Sequence, residues 1–185
     1  MGFVHHSSVE RYDPALNLWE AVAPMVAARM SLGVAVLDGK LYAVGGYNDD
    51  DFALSTVDRY DPATNAWEAM APMATARVVL AVAVLDGKLY AVGGESNDNY
   101  LSSVERYDTA LNAWDAVAPM GTARRDHGVV VLDGTLYVVG GETINDEVED
   151  DEFDTVEQYN PATNAWEGLA PMATARVSSP CVALL

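Results

Sequence analysis

One cysteine, Cys181, stands in 185 residues, so an internal disulfide cannot form. No Asn-x-Ser/Thr acceptor occurs either, and the two absences point to an intracellular, cytoplasmic setting. Histidine is nearly as scarce, with His5, His6 and His127 the whole complement, and no two of these fall at a ligand spacing within one element. Metal chemistry and acid-base catalysis need convergent His, Cys or carboxylate groups, so no catalytic set is expected, and neither a metal nor any other cofactor. Paired His5-His6 reads as a frayed end rather than a metal site. Cys181, in an apolar run with no His near it, reads as a small core residue rather than a nucleophile. No stretch approaches the roughly 18 apolar residues of a spanning helix, and the opening MGFVHHSS lacks the basic-then-apolar order of a leader. Gly2 fails as a myristoylation start because His6 occupies the Ser/Thr position. The chain is expected to be soluble and unprocessed.

Positive charge is also short: 10 Lys and Arg against 28 Asp and Glu give a formal charge of -18. Such a field repels phosphate backbones and anionic lipid, so neither nucleic acid nor membrane is an expected partner. It serves solubility and would steer a basic partner toward the surface.

What the chain has in abundance is repetition. The same phrase returns at Tyr12, Tyr60, Tyr107 and Tyr159, at spacings of 48, 47 and 52 residues. Each Tyr is followed seven residues later by Trp (Trp19, Trp67, Trp114, Trp166), then by Pro-Met, then by Arg29, Arg77, Arg124 or Arg176. Between the phrases lie three copies of an apolar run, an Asp-Gly turn, Leu-Tyr and a glycine pair, Gly45-Gly46, Gly93-Gly94 and Gly140-Gly141. Val34 to Leu37 suits a short strand buried on both faces. Asp38-Gly39 supplies the positive φ angles of a two-residue hairpin, repeated at Asp86-Gly87 and Asp133-Gly134. A second strand, Leu41 to Val44, ends at the glycine pair, where the missing side chains allow close backbone approach. Strand three lies around Val57 to Tyr60, and strand four carries Trp67 before stopping at Pro72. Four short antiparallel strands per period make one blade of a β-propeller.

The pattern closely resembles the kelch repeat, over about residues 7 to 185, and the resemblance rests on the Gly-Gly pair, the Tyr-to-Trp spacing and Pro-Met taken together. It implies an all-β, kelch-type propeller of four-stranded antiparallel blades, with Tyr and Trp packed between neighbours. A single domain over 1–185 is expected, with blades at about 30–72, 78–119 and 125–171 and a split blade joining 7–24 to 177–185. The chain opens on a third and a fourth strand (Val9 to Tyr12, then Trp19) and closes on a first (Cys181 to Leu184), with Gly2 to Val4 a candidate for the absent second. That gives about four blades, while the resemblance implies rings of five to seven; closure of four, a homodimer completing one ring, and part of a larger ring stay open.

Function is expected in what varies over this frame. Acidic residues gather between second and third strands, at Asp49, Asp50 and Asp51 and again at Asp146, Glu147, Glu149, Asp150, Asp151 and Glu152. Their spacing does not fit a calcium loop, because no Gly takes the sixth position after Asp49 and no Glu closes twelve residues. They read as a solvated face, or as a lure for a basic peptide. The resemblance implies peptide recognition at the rim that bears Arg29, Arg77, Arg124 and Arg176, as in the kelch domains of ubiquitin-ligase adaptors; a structural ion pair at each blade junction is the competing reading. Arg125, Asp126 and His127 break the repeat where the other units carry Met30-Ser31-Leu32 and Val78-Val79-Leu80, which binding or local solvation explains better than the fold does, and they are nominated as binding residues. The expected function is a non-catalytic scaffold binding a protein or peptide at these seven positions. A kelch-like enzyme or sugar-binding propeller, and a structural self-assembly module, are the alternatives.

Overall fold

Asp-Gly dipeptides and apolar runs of four or five residues fold as the spacing requires. The computed structural model describes residues 5–97, 99–143 and 151–177, and all regular structure in them is strand. A two-stranded sheet comes first, β1 (Val9–Asp13) paired with β2 (Leu18–Val22). The next sheet runs β3 (Gly33–Leu37), β4 (Lys40–Val44), β5 (Val57–Asp61) and β6 (Ala66–Met70) in sequence order. Its neighbour holds β7 (Ala81–Leu85), β8 (Lys88–Val92), β11 (Val104–Asp108) and β12 (Ala113–Val117), and the last holds β13 (Gly128–Leu132), β14 (Thr135–Val139), β17 (Val156–Asn160) and β18 (Ala165–Gly168). Small ribbons, β9 (Glu95–Ser96) with β10 (Asn99–Tyr100) and β15 (Glu142–Thr143) with β16 (Asp151–Glu152), decorate the second-to-third strand loops. Every pairing is antiparallel, and in each repeat the Tyr faces its own Trp across the third and fourth strands, as in Tyr60↔Trp67. Three full four-stranded blades and one two-stranded sheet make the arrangement a β-propeller.

The hairpins are as the sequence implies: Asp38 and Gly39 sit at φ 51° and 71°, with matching values at Asp86-Gly87 and Asp133-Gly134. Gly93, at φ 55°, must lack a side chain, because a Cβ there would lie 2.6 Å from the Arg124 carbonyl oxygen.

The core lies between blades rather than within one. Leu37, Tyr42, Val44 and Val57 of the first full blade pack on Leu89, Ala91 and Tyr107 of the second, and Leu85, Tyr90 and Val92 of the second pack on Leu136, Val138 and Tyr159 of the third. Tyr42 lies 6.1 Å from Tyr107 and Tyr90 5.8 Å from Tyr159, tilted pairs that tie neighbouring sheets.

Val34 to Leu37 corrects the expectation of a strand buried on both faces. Leu37 is buried, but Val34 and Val36 are 57% and 63% exposed. Their counterparts Val82 and Val84 in the second blade are partly covered by the first. Among the described residues the face bearing Val36 looks across a cavity to Val9, Arg11 and Val22 of the two-stranded β1–β2 sheet, which leaves it open. Gly2 to Val4, Asp146 to Asp150 and Cys181 to Leu184 lie outside the described residues.

Candidate functional site

Each chain segment that leaves one blade's fourth strand carries an arginine into the next blade. Arg77 follows β6, and its guanidinium donates to the Gly93 and Ser103 carbonyls at 2.8 and 2.9 Å, to Ser103 Oγ at 2.8 Å and to Glu105 Oε1 at 3.0 Å. Arg29 makes the same reach to the Gly45 and Thr56 carbonyls and to Asp58 Oδ2 at 2.5 Å. Arg124 bonds the Gly140 carbonyl at 2.7 Å and Glu157 Oε1 at 2.7 Å, with its guanidinium 5.0 Å from the centre of the Phe153 ring. All three arginines and all three acids are buried. Burial lowers each arginine's pKa and the facing carboxylate opposes it, and an arginine remains a cation across the ordinary pH range. These guanidiniums hold blade to blade, which supports a structural role for them. Arg176 sits at the same backbone position, donating its N–H to the Phe153 carbonyl, but its side chain is exposed and meets no carboxylate among the described residues.

A second clamp was not anticipated from the sequence. Asn65, Asn112 and Asn164 adopt φ near 50°, which turns each side-chain oxygen toward the preceding blade. Asn112 Oδ1 accepts from its own Tyr107 hydroxyl at 2.7 Å and from the Ala71 N–H at 2.9 Å, while Trp114 Nε1 donates to the Ala71 carbonyl at 3.0 Å. Asn65 with Trp67 grips Ala23, and Asn164 with Trp166 grips Ala118, in the same way. The signal was present: Asn stands two residues before each repeat Trp, and an acid two residues before each repeat Tyr, buried at Asp58, Glu105 and Glu157.

Around the axis, Ser31, Val79 and Asp126 take up positive φ near 50°, an unusual conformation for a valine. The Val79 N–H donates to the Ser31 carbonyl at 3.0 Å and the Asp126 N–H to the Val79 carbonyl at 3.4 Å, so three blades are strung together here. They frame a cavity of about 140 Å³ lined by Ser31, Leu32, Val79, Leu80 and Asp126.

Of the three residues that break the repeat, each has a different environment. Arg125 donates to Glu142 Oε1 at 2.7 Å and to Glu95 Oε2 at 2.5 Å, and its guanidinium lies over Tyr100 at 4.6 Å. Burial works against its charge, but the hydrogen bonds it donates to Glu95 and Glu142, with their charges, outweigh burial and raise its pKa. Asp126 opens on the cavity; burial raises its carboxyl pKa, and the Glu142 and Glu95 charges add to this against the pull of Arg125. His127 fills the position held by Leu32 and Leu80 and is buried. Burial lowers its pKa to about 3, and the Arg124 charge lowers it further than the Val92 carbonyl restores. It therefore stands as a neutral ring in the core. Asp50 and Asp51 are exposed loop residues, and Asp49 pairs with His5 Nδ1 at 3.1 Å, so His5 is docked rather than frayed. Among the described residues no cluster of His, Cys, Asp and Glu is placed to hold a metal ion, and no helix could cross a membrane.

Interblade tyrosines, buried junction arginines and a framed axial cavity define a propeller of the kelch type. The chain belongs to the kelch-repeat family: the family model for the KLHDC2/KLHL20/DRC7 Kelch-repeats domain matches residues 5–183. It is 58% identical to human Kelch-like protein 5 over 40 residues, 22% of this chain and 5% of that protein. It is 48% identical to mouse Kelch-like protein 1 over 44 residues, 24% of this chain and 6% of that protein. Each of these matches is about one repeat long, so the chain spans a small part of the curated relatives it matches. In fold it is similar to the structure of YjhT, with a TM-score of 0.74 at 17% identity over 94% of this chain and 67% of that chain.

Proposed function

We propose that this chain is a non-catalytic, intracellular protein-binding scaffold, and that it receives a peptide or protein segment at the axial mouth beside Arg125 and Asp126. Membership of the kelch family supports a protein-binding role in general. The observation that carries the site is the Ser31–Val79–Asp126 string of backbone bonds around one cavity, with the two charged residues that depart from the repeat placed at its edge. Loops from separate blades converge there on a rigid frame, and variation on such a frame is where binding resides. The mouth holds one cation, Arg125, among Glu95, Glu142 and Asp126. Arg125 is held at 2.5 and 2.7 Å by Glu95 and Glu142 and lies 4.0 Å from Asp126, whose carboxylate also lines the cavity. The segment that fits therefore brings a Lys or Arg side chain to Asp126, in keeping with the formal charge of -18.

Display of a random peptide library on the purified protein tests this. Enrichment of peptides with a basic residue, lost with Asp126→Asn at unchanged thermal stability, is the expected result. Enrichment of acidic peptides, or equal capture by Asp126→Asn, would overturn it.

A further inference from the structure

Val79 stands at φ 53°, in the left-handed region where a side chain branched at Cβ crowds its own backbone. The conformation itself belongs to the fold. Ser31 and Asp126 share it at φ 51° and 53°, and all three residues are joined through it, the Val79 N–H donating to the Ser31 carbonyl and the Asp126 N–H to the Val79 carbonyl. The valine is not demanded by it, because a serine and an aspartate fill the same position in the neighbouring blades. Packing gives no return either: Val79 is half-buried and belongs to neither interblade cluster, whereas Val78 and Leu80 on each side of it are buried. A side chain that strains the backbone and adds nothing to the core points to a role outside the fold, and Val79 lines the axial cavity with Ser31, Leu32, Leu80 and Asp126.

The lining of that cavity distinguishes one cation from another. Leu32, Val79 and Leu80 are its aliphatic residues, and Ser31 and Asp126 bring a hydroxyl and a carboxylate, a combination that suits an aliphatic stem with a charged tip. Asp126 Oδ2 already lies 4.0 Å from Arg125 Nε. A guanidinium makes its paired bonds only where both carboxylate oxygens face it in one plane, whereas an ammonium is a point charge whose three donors a carboxylate oxygen, a hydroxyl and a carbonyl can share.

We infer that Val79 sets the specificity of the axial cavity for a lysine side chain, its isopropyl group packing on the aliphatic stem of the bound residue while the ammonium meets Asp126. The inference rests on the axial mouth being the binding site, and it names the side chain that enters and the residue that selects it.

The probe is an acetylated and amidated Gly-Gly-Lys-Gly-Gly peptide, titrated into the full chain and followed by NMR shifts of the axial amides. Counterparts carry arginine, or the short-stemmed cation diaminopropionate, in place of lysine. A buried methylene is worth roughly fourfold in affinity, so the wild type should bind the lysine peptide about tenfold tighter than the diaminopropionate one, and tighter than the arginine one. Val79→Gly and Val79→Asn, both suited to positive φ, should bring lysine down to the diaminopropionate level, leave diaminopropionate binding in place and raise the urea midpoint. A midpoint that falls in both variants would make Val79 a structural residue and overturn the inference. So would a lysine preference that survives in them, or a wild type that binds the three peptides alike or none of them. Asp126→Asn separates this from the reading of the site: unchanged binding there removes the axial mouth itself, while loss of both cations there with the lysine preference intact in the Val79 variants removes only the role of Val79.

Discussion

Arg77 Nη2 lies 3.0 Å from Glu105 Oε1 with both side chains withdrawn from solvent, in a segment that leaves one blade and is pinned inside the next. Glu105 also accepts from the Ala74 and Thr75 N–H groups at 2.7 and 3.1 Å, so the carboxylate fixes the path of the chain between blades. Truncating the arginine would leave a buried carboxylate and two carbonyls without their donor. Arg77→Ala should therefore cost about 3–5 kcal/mol in urea unfolding. Arg11→Ala, which breaks an exposed pair with Glu20, should leave the midpoint in place.

His127 gives the protein a defined acid sensitivity. Its folded pKa of about 3 lies below the ordinary 6.5, so between these values the unfolded chain holds a proton that the folded one does not. Stability then rises with pH across that window and falls on acidification, by up to about 1.4 kcal/mol per pH unit from this group. His127→Leu restores the residue type of Leu32 and Leu80. It should raise stability at pH 7 and flatten the loss between pH 6.5 and 4 relative to wild type, as read from urea midpoints at several pH values. An unchanged slope would contradict the assignment.

Asn112 combines two hydrogen bonds with a left-handed backbone at φ 47°. Asn112→Gly keeps the conformation and loses the bonds, which should cost about 1–2 kcal/mol. Asn112→Ala adds a conformational penalty of about 1 kcal/mol. The order of the three melting temperatures, wild type above Gly above Ala, is the check.

Gly93 and Gly87 separate steric need from conformational preference. Both have positive φ, but a Cβ at Gly87 would meet nothing within 4 Å, whereas one at Gly93 would press on the Arg124 carbonyl. Gly93→Ala should destabilise by more than the roughly 1–2 kcal/mol expected of Gly87→Ala, because backbone must move to admit it.

Much of the fold is legible because four copies of one phrase constrain every strand and turn at once. The Asp-Gly hairpins and the Tyr↔Trp pairing follow from local chemistry, and the interblade role of Tyr and Trp from the family resemblance. Burial of Val34 and Val36 was misread because it depends on how many strands the neighbouring sheet has, which an isolated apolar run does not encode. At the site, the irregular triplet was visible as a departure from the repeat, but the division of labour within it was not. Arg125, Asp126 and His127 are consecutive, yet one bridges two glutamates contributed by other loops, one lines a cavity and one replaces a core leucine. The junction arginines carry two readings in the sequence, and the positions of Asp58, Glu105 and Glu157 across the blade, which support the structural one, are visible only in the fold.

The most direct test of the axial site is the footprint of a bound segment by amide hydrogen exchange. With a basic peptide taken from the display selection, protection is expected in residues 29–32, 77–80 and 124–127, whose loops frame the Ser31, Val79 and Asp126 cavity. The protection should weaken as acidification protonates Asp126, starting above the usual aspartate range. Protection confined to the loop at Asp49 to Asp51, with the axial loops exchanging as in the free protein, would contradict the account.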